Sequence, residues 1–317
     1  MKLGILFSGQ GAQKAGMGSD LYDALPGYQE TIDRASNILG YDLQSVANDD
    51  SKISAFFGGF DNCCWNGGRE NKQHSEQLSN CLKIIKQIND LGISVRFTFT
   101  NPFITREEYN DYIGNSLMKF AHNGMNGVIV ANENFHNYLK EKYPNFHYVY
   151  STTNCTTDGN IYNEMYDKYD ILVLDYRLNK NIDFLKRNDK IEILVDDCCP
   201  SCKYRKQHFE NVGRYNLGEQ IDVSCLNPEN YGKYENPKNF YESMLRTLNN
   251  SLTYEEIEEY KKLGFNKFKL TGRSQNRKFL LDSYIYYFVK PKFRYIVRKI
   301  LQDRVDFSLY DEGKNEN

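Results

Sequence analysis

The chain has 317 residues and carries 40 lysine and arginine residues against 42 aspartate and glutamate residues, a formal net charge of −2. A charge so close to zero gives no support for non-specific nucleic-acid binding through a basic surface. Hydrophobic residues make up 40% of the sequence and charged residues 26%, which predicts a folded core and argues against global disorder. No apolar run approaches the roughly 20 residues that a membrane-spanning helix needs, so we expect a cytoplasmic protein with no membrane partner.

The first fifty residues differ in pattern from the rest of the chain. A short apolar strand, residues 2–8, ends in the sequence GQGAQ, and two helical stretches follow it before a polar break at residues 48–51. The sequence therefore predicts a short β-α-α segment over residues 1–50 and a larger domain over residues 51–317.

From residue 52 onward, short apolar strands alternate with helical stretches. The predicted strands cover residues 53–58, 95–100, 126–131, 147–151, 170–175, 191–195 and 267–271. The predicted helices cover residues 76–90, 106–123, 134–142, 162–168, 180–187, 238–249, 254–263 and a C-terminal helical tail, 277–301. The segment between residues 198 and 236 has no clear pattern.

This alternation indicates a parallel sheet covered by helices. Six or seven strand–helix units fit a TIM-like (β/α) barrel better than an open doubly wound α/β sheet, which is the alternative. No strand is followed by the pattern G-x-G-x-x-G, which weakens a dinucleotide-binding interpretation.

Functional groups of a (β/α) barrel lie just beyond the carboxyl ends of its strands. The candidate acid–base groups at these positions are Asp175, Asp196 and Asp197. The candidate substrate-binding residues are Arg69, Asn101, Asn132, Asn154, Lys269 and Arg273. Structural roles remain open for both sets, because asparagine and aspartate after a strand also cap helices and turns.

The sequence CCPSCKYRKQH begins shortly after the sixth predicted strand and contains a C-x-x-C motif. Thiolates bind zinc and iron–sulfur clusters, and the tight turn of C-x-x-C brings two sulfur atoms to one metal. Three proposed ligands are Cys199, Cys202 and Cys225, and the candidates for the fourth are Cys198, Cys63, Cys64 and Cys155. Zinc, with His208 as a nitrogen ligand, is the alternative to an iron–sulfur cluster.

The sequences FSGQGAQ (residues 7–13), GMGSDLYDALP and ILGYDL resemble the N-terminus of malonyl-CoA:acyl-carrier-protein transacylases. The resemblance implies that Gln10 lies beside an acyl-transfer site. That chemistry needs a nucleophilic serine in a G-x-S-x-G elbow, and no serine of this chain has glycines at both positions. We therefore expect no acyl transfer and a structural role for Gln10.

The sequences NGVIVAN, YVYSTTNC, IEILVDDCCPSC and GFNKFKLTGR, within residues 52–290, resemble the collagenase-like peptidase family U-32. The resemblance implies a barrel, a four-cysteine iron–sulfur cluster and substrates such as RNA bases, aromatic rings or peptides. Two departures weaken it: the family's late-strand glutamate is Thr271 here, and the usual cysteine spacing is not reproduced after Cys202.

Together these observations predict a metalloprotein of the U-32-like barrel type. Such a protein would modify a nucleic-acid base, a small molecule or a peptide at the strand-end face, with an iron–sulfur cluster as cofactor. Two alternatives remain: an inactive relative of the transacylases, and a non-catalytic barrel with structural zinc.

Overall fold

The structure is a computed structural model, and it describes residues 53–60, 62–68, 78–196, 202–226, 251–271 and 277–298. The transacylase-like segment with Gln10 and the predicted helix over residues 238–249 lie outside the described residues. The chain divides into two compact units, and the described part of the second is residues 277–298. The predicted boundary at residue 50 stays a prediction.

The first unit is built on one sheet of seven parallel strands in sequential order. The strands are β1 Ala55–Gly58, β2 Ser94–Phe99, β3 Gly127–Val130, β4 His147–Tyr150, β5 Ile171–Val173, β6 Ile191–Leu194 and β7 Phe268–Lys269. Each strand pairs in parallel with the next one along the chain. All seven predicted strands are confirmed, most of them one or two residues shorter.

Helices connect most of the strands. They are α1 Leu78–Asp90, α2 Tyr112–Ala121, α3 Glu133–Lys142, α4 Gly159–Met165, α5 Arg205–Asn216 and α6 Tyr254–Lys262. The described part of this unit also contains three 3-10 helices: Glu108–Asn110, Thr152–Asn154 and Tyr176–Leu178. Among the described residues, no helix combines the length and the apolar character that crossing a membrane requires.

The sheet is strongly curled, as a side-chain contact across it shows. Arg96 of β2 donates from Nη1 to Oε2 of Glu192 of β6 at 2.5 Å, although three strands lie between them. Neighbouring strands are about 4.8 Å apart, so a flat sheet would separate these two backbones by roughly 19 Å, too far for the pair to meet. The sheet therefore wraps around its own concave face.

The expected closed barrel is wrong, whereas the barrel-like parallel α/β fold is confirmed. Among the described strands, β1 pairs only with β2 and β7 only with β6, so the sheet forms a half-barrel. Eight strands close a TIM barrel, and the described sheet has seven. The open doubly wound alternative is also wrong, because its strand order reverses at a switch point and this order does not.

The concave face of the half-barrel holds an apolar core. Strand register places Ile129 beside Val149, and Val149 beside Ile171. Because side chains alternate across a strand, these residues share one face of the sheet. They belong to a buried cluster that also contains Phe57, Val173, Tyr176 and Leu194. The charged pair of Arg96 and Glu192 lies on the same face.

One predicted helix is wrong and one observed helix was not predicted. The helix expected over residues 180–187 is wrong, because the side chain of Asn163 in α4 takes up its backbone groups. Asn163 donates to Phe184 O at 3.0 Å and accepts from Lys186 N at 3.1 Å. Conversely, α5 lies within the segment that showed no clear pattern.

The described part of the second unit begins with α7, Arg277–Phe288, which confirms the start of the predicted helical tail. A 3-10 helix, Pro291–Phe293, follows it, and residues 294–298 are helical. Within this unit Arg298 donates from Nε to Oδ1 of Asp282 at 2.5 Å, with both side chains largely buried.

Candidate functional site

Four side chains meet beyond the carboxyl ends of β4 and β5, and we name them the guanidinium cluster: Cys155, Asp175, Arg177 and Arg205. Cys155 follows β4 after the 3-10 helix Thr152–Asn154. Asp175 lies two residues beyond β5, and Arg205 is the first residue of α5. The parallel sheet brings them together because the carboxyl ends of its strands share one edge.

Asp175 is the centre of the guanidinium cluster and is 0% exposed. Its Oδ2 accepts from Nη1 of Arg205 at 2.9 Å and from Nη2 of Arg177 at 3.1 Å. Its Oδ1 accepts from Nε of Arg177 at 2.8 Å and from the Arg177 amide at 3.1 Å, so Asp175 also caps the 3-10 helix Tyr176–Leu178. A buried carboxylate needs such partners, and here two guanidinium groups provide them.

Arg205 is held inside the cluster, with its side chain only 4% exposed. Its Nη1 also approaches the Thr152 carbonyl and the Cys155 sulfur, both at 3.3 Å. Its guanidinium carbon lies 5.0 Å from the ring centres of Tyr176 and of Phe209. These contacts fix the start of α5 against the ends of β4 and β5.

Cys155 has an unusual backbone conformation, with φ 53° and ψ 37° in the left-handed region. Non-glycine residues seldom adopt this region, and it often marks functional positions. Burial raises the pKa of the Cys155 thiol, the guanidinium of Arg205 opposes that rise, and the charge of Asp175 adds to it. Cys155 is therefore a neutral thiol near pH 7 and accepts a hydrogen bond through its sulfur.

The described members of the guanidinium cluster are two cations, one carboxylate and one thiol. Two guanidinium groups share one carboxylate, and the neutral thiol adds no negative charge. Arg177 is the solvent-facing member, with its side chain 40% exposed.

A second group of loops is joined at the ends of β1 and β2. Asn101 is buried and donates from Nδ2 to Cys64 O and to Gly213 O, both at 2.9 Å. Asn216 donates to Asn66 O at 2.8 Å. The loop after β1 is therefore fastened to β2 and to α5 through amide side chains.

Trp65 packs inside this loop. Its ring centre lies 5.1 Å from that of Phe99 and 4.9 Å from that of Phe135, and its Nε1 donates to Glu108 O at 2.7 Å. Cys63, two residues before Trp65, is fully buried, and burial raises the pKa of its thiol well above the usual range. This thiol is accordingly unreactive in the folded protein.

Two predicted substrate-binding asparagines have structural bonds. Asn132 caps α3 by accepting from Phe135 N at 2.9 Å, and it donates to Pro102 O and Ile104 O, both at 3.0 Å. Asn101 makes the loop bonds described above. Asn154 is half-buried at the end of the 3-10 helix beside Cys155. A substrate role for these residues stays a prediction.

Two further predicted site residues, Lys269 and Asp196, are buried in the half-barrel. Lys269 is buried on its concave face, with Nζ 3.8 Å from the Phe57 ring centre and 4.0 Å from Oε1 of Glu192. Asp196 is nearly buried and accepts from the amide and the hydroxyl of Thr271 at 2.6 and 3.1 Å. Arg69, Asp197 and Arg273 lie outside the described residues.

The predicted metal ligands are only partly described. Cys198 and Cys199 lie outside the described residues, whereas Cys202 is half-buried and Cys225 is exposed. The cysteines of the described ranges are all free thiols. Within those ranges, no group of three or more histidine, cysteine, aspartate or glutamate side chains is arranged to hold a metal ion.

Sequence reasoning identified Asp175 and Cys155 at strand ends but gave no role to Arg177 or Arg205. The signal for Arg177 was its position two residues after Asp175, beyond an apolar strand. Arg205 had no such signal, because it lies in the long connection between β6 and β7.

Neither a protein-family model nor a curated protein matches the chain. Among solved structures, the U32 peptidase Mk0906 matches with a TM-score of 0.45 and 14% sequence identity, over 70% of this chain and 86% of that protein.

Proposed function

We propose that this protein is a U-32-like modifying enzyme that carries a cysteine-ligated iron–sulfur cluster at the carboxyl edge of its half-barrel. Its substrate would be a nucleic-acid base, a small molecule or a peptide that binds at the same edge. The sequence resemblance implies the cofactor and the reaction class, and the contacts of Arg205 support the location.

One observation carries the proposal. The amide of Arg205 donates to the Cys202 carbonyl at 3.3 Å, and the side chain of Arg205 reaches the Cys155 sulfur at 3.3 Å. Cys202 and Cys155 come from connections after two different strands, yet a single arginine contacts both. The backbone of Cys202 therefore lies at the same edge as the Cys155 thiol, and the proposal requires that their sulfur atoms also approach one point.

The described residues hold only part of the proposed ligand set. Cys202 and Cys225 belong to it, and Cys63, Cys64 and Cys155 are candidates for a further ligand. A bound iron–sulfur cluster would supply one-electron redox chemistry. The role that this chain's own residues support is binding: Arg177 faces solvent, while Asp175 and Arg205 hold it in position.

Metal analysis tests the cofactor proposal. The full chain, purified without oxygen and reconstituted with iron and sulfide, is expected to retain both in stoichiometric amounts, with the absorbance of a cluster. The variants Cys199→Ala and Cys202→Ala should lose most of the iron. Cys81→Ala is the matched control, because Cys81 is a buried cysteine of α1 distant in sequence from the C-x-x-C motif.

Two results would contradict the proposal. One is a colourless protein without iron after reconstitution, and the other is unchanged iron in both motif variants. Stoichiometric zinc in place of iron and sulfide would favour the non-catalytic barrel with structural zinc.

A further inference from the structure

We propose that the Asn123–Gly124 peptide is a site of spontaneous deamidation, and that the modified protein loses part of a hydrogen-bond network that joins α1, α2 and β3. The modification needs only water, so the inference does not depend on the proposed function. It is carried by the exposure, the packing and the hydrogen bonds of the asparagine–glycine pairs of the chain.

The sequence contains three asparagine–glycine pairs: Asn66–Gly67, Asn123–Gly124 and Asn126–Gly127. Asparagine is a thermolabile residue. In deamidation, the backbone nitrogen of the next residue attacks Cγ of the asparagine side chain. A glycine at that next position makes the attack easiest, because it has no side chain to obstruct it.

The fold protects two of the three pairs. Asn66 is 2% exposed and Asn126 is 0% exposed. A Cβ atom at residue 67 would lie only 2.4 Å from the carbonyl carbon of Thr100, and Gly127 is the first residue of β3. Ring closure at either pair would require the backbone to rotate against closely packed neighbours, so we expect neither to react in the folded protein.

The pair Asn123–Gly124 is open by comparison, since both residues are exposed in the turn after α2. Gly124 has a φ of +81°. Apart from the adjacent residues, no atom in the described part of the chain lies within 4 Å of the position that a Cβ of residue 124 would take. The backbone nitrogen of Gly124 can therefore approach the Asn123 side chain without displacing a neighbour.

The hydrogen bonds of Asn123 favour the reaction. Its Oδ1 accepts from the Met125 amide at 3.0 Å and from Nδ2 of Asn126 at 3.1 Å. Attack of the Gly124 nitrogen on Cγ places negative charge on this oxygen, and N–H donors stabilise such a charge as they do in an oxyanion hole.

The products follow from the fate of the tetrahedral intermediate. The bond from Cγ to Nδ2 breaks, ammonia leaves with the proton of the Gly124 amide, and a cyclic imide remains. Water then opens the imide at one of its two carbonyl groups. The result is aspartate or isoaspartate at residue 123.

A carboxylate at residue 123 does not fit the amide side chains around it. Nδ2 of Asn123 donates to Oδ1 of Asn89 at 3.0 Å, and either product lacks this donor. Asn89 cannot reverse its amide to compensate, because its Nδ2 donates to Ile93 O at 3.0 Å and to Oδ1 of Asn126 at 2.8 Å. The new carboxylate would therefore face the Asn89 oxygen.

Asn126 extends this network into the sheet. Its Oδ1 accepts from the Val95 amide at 2.8 Å, and its Nδ2 donates to Ala121 O at 3.1 Å. The network thus connects the ends of α1 and α2 to the starts of β2 and β3, and modification at residue 123 should weaken all these connections.

Mass analysis of the full chain, incubated in the folded state at mildly alkaline pH, tests the site. Cyanogen bromide cleaves after methionine, so residue 123 falls in the fragment 119–125, whereas residues 66 and 126 fall in the fragments 18–118 and 126–165. We expect fragment 119–125 to gain the mass difference between an amide and a carboxyl group. The other two fragments should gain it at least about tenfold more slowly, because their reaction requires local unfolding.

Two controls separate the fold from the sequence. In concentrated urea the three pairs should react at similar rates, because only the local sequence then matters. Asn123→Gln should leave fragment 119–125 without the mass gain. Isoaspartate in the wild-type fragment is identified by methyl transfer from S-adenosylmethionine with an isoaspartyl methyltransferase.

Asn123→Asp reproduces one product and tests the network. Its midpoint of thermal unfolding should lie about 2 °C or more below that of the wild type, the shift expected for one lost hydrogen bond. Asn145→Asp, at an exposed position in the loop before β4, is the matched control and should keep the wild-type midpoint.

Three results would overturn the inference. The first is an unmodified fragment 119–125 from the folded protein. The second is equal rates at the three pairs in the folded protein. The third is an Asn123→Asp midpoint no lower than that of Asn145→Asp.

Discussion

Arg96 and Glu192 form an ion pair inside the half-barrel, with Nη1 and Oε2 2.5 Å apart, although the two residues are 96 positions apart in the sequence. The Glu192 side chain is only 2% exposed, and Lys269 Nζ lies 4.0 Å from its other oxygen. Glu192 therefore compensates two buried cations. Removing one partner of a buried pair is far more damaging than removing the whole pair.

The first prediction is that Glu192→Gln lowers the free energy of unfolding by about 3–5 kcal/mol. Urea denaturation at pH 7 measures the loss. The double variant Arg96→Met with Glu192→Met should be more stable than Glu192→Gln, because it removes one of the buried cations together with the anion.

Glu133→Gln provides the comparison at the surface. Glu133 pairs with Lys168, and about half of each side chain is exposed. This change should alter stability by no more than about 1 kcal/mol. Equal losses in the free energy of unfolding for Glu192→Gln and Glu133→Gln would show that the buried pair contributes no more than the surface pair.

The second prediction concerns Gly114 in α2, which touches Trp65. A Cβ atom at residue 114 would lie 2.2 Å from Cε3 of the indole ring, well inside contact distance. Gly114→Ala should therefore destabilise the protein by roughly 3 kcal/mol, the upper part of the range for overpacked cores. Thermal and urea denaturation measure the effect.

Two variants show whether the clash is responsible. Lys119→Ala lies on the exposed side of α2 and should be nearly neutral. Trp65→Phe should relieve the clash, so that its cost and that of Gly114→Ala are less than additive in the double variant. Full additivity would show that the ring and the new methyl group do not meet.

The third prediction is a pH dependence that arises at His136. This residue of α3 is 2% exposed, and its ring stacks on Tyr169 with centres 4.2 Å apart. Burial lowers the pKa of His136 from 6.5 to about 4; the charge of Lys140 acts in the same direction, whereas Glu133 and Asp170 oppose it. The folded state therefore binds a proton less readily than the unfolded state.

It follows that the stabilisation from the neutral His136 is complete above pH 6.5 and is lost as the pH falls towards 4. The variant His136→Phe keeps an aromatic ring at the position but cannot titrate. Between pH 6.5 and 4 its free energy of unfolding should therefore fall less steeply than that of the wild type, with the two slopes differing by roughly 1 kcal/mol per pH unit. Urea denaturation at several pH values gives both slopes. His147→Gln, at an exposed position, is the control and should keep the wild-type slope. A wild-type slope in His136→Phe as well would contradict the prediction.

The fourth prediction orders the thiols by reactivity, since alkylation requires the thiolate. In the metal-free protein at pH 7, iodoacetamide should modify the exposed Cys225 first, the half-buried Cys155 more slowly and the fully buried Cys63 last. Burial raises the pKa of both slower thiols. Mass spectrometry of the peptides gives the three rates, and Cys155 reacting as fast as Cys225 would show that its thiol is not held neutral.

The strands were predictable because their sequences are unambiguous. Parallel strands buried on both faces have short, continuous apolar sequences, and the strand Gly127–Val130 is an example. The length of β7 was not predictable. Its five-residue run shortens to two residues, since Thr271 gives its amide to the side chain of Asp196, a contact that the sequence pattern does not reveal.

Helix α5 shows why the rest of the site was missed. Its buried residues are spaced as in any helix, but three of them are Arg205, Gly213 and Asn216, which an apolar pattern cannot reveal. Each is buried because it bonds or touches a loop from elsewhere: Arg205 meets Asp175, Gly213 accepts from Asn101, and Asn216 donates to Asn66. The strand-end rule predicted two members of the guanidinium cluster, Asp175 and Cys155, whereas Arg205 required the fold.

The connection from β6 to β7, Leu194 to Phe268, is about twice as long as the next longest in the sheet, which joins Gly58 to Ser94. Doubling the length of a loop raises the entropic free-energy cost of closing it by only roughly 0.6 kcal/mol, so the long connection destabilises the fold little. Its far end, however, is secured by the two-residue strand β7. The last strand is the shortest of the described sheet and lies at its edge, so amide protons along β7 should exchange with solvent well before those of the central strands β3 and β4.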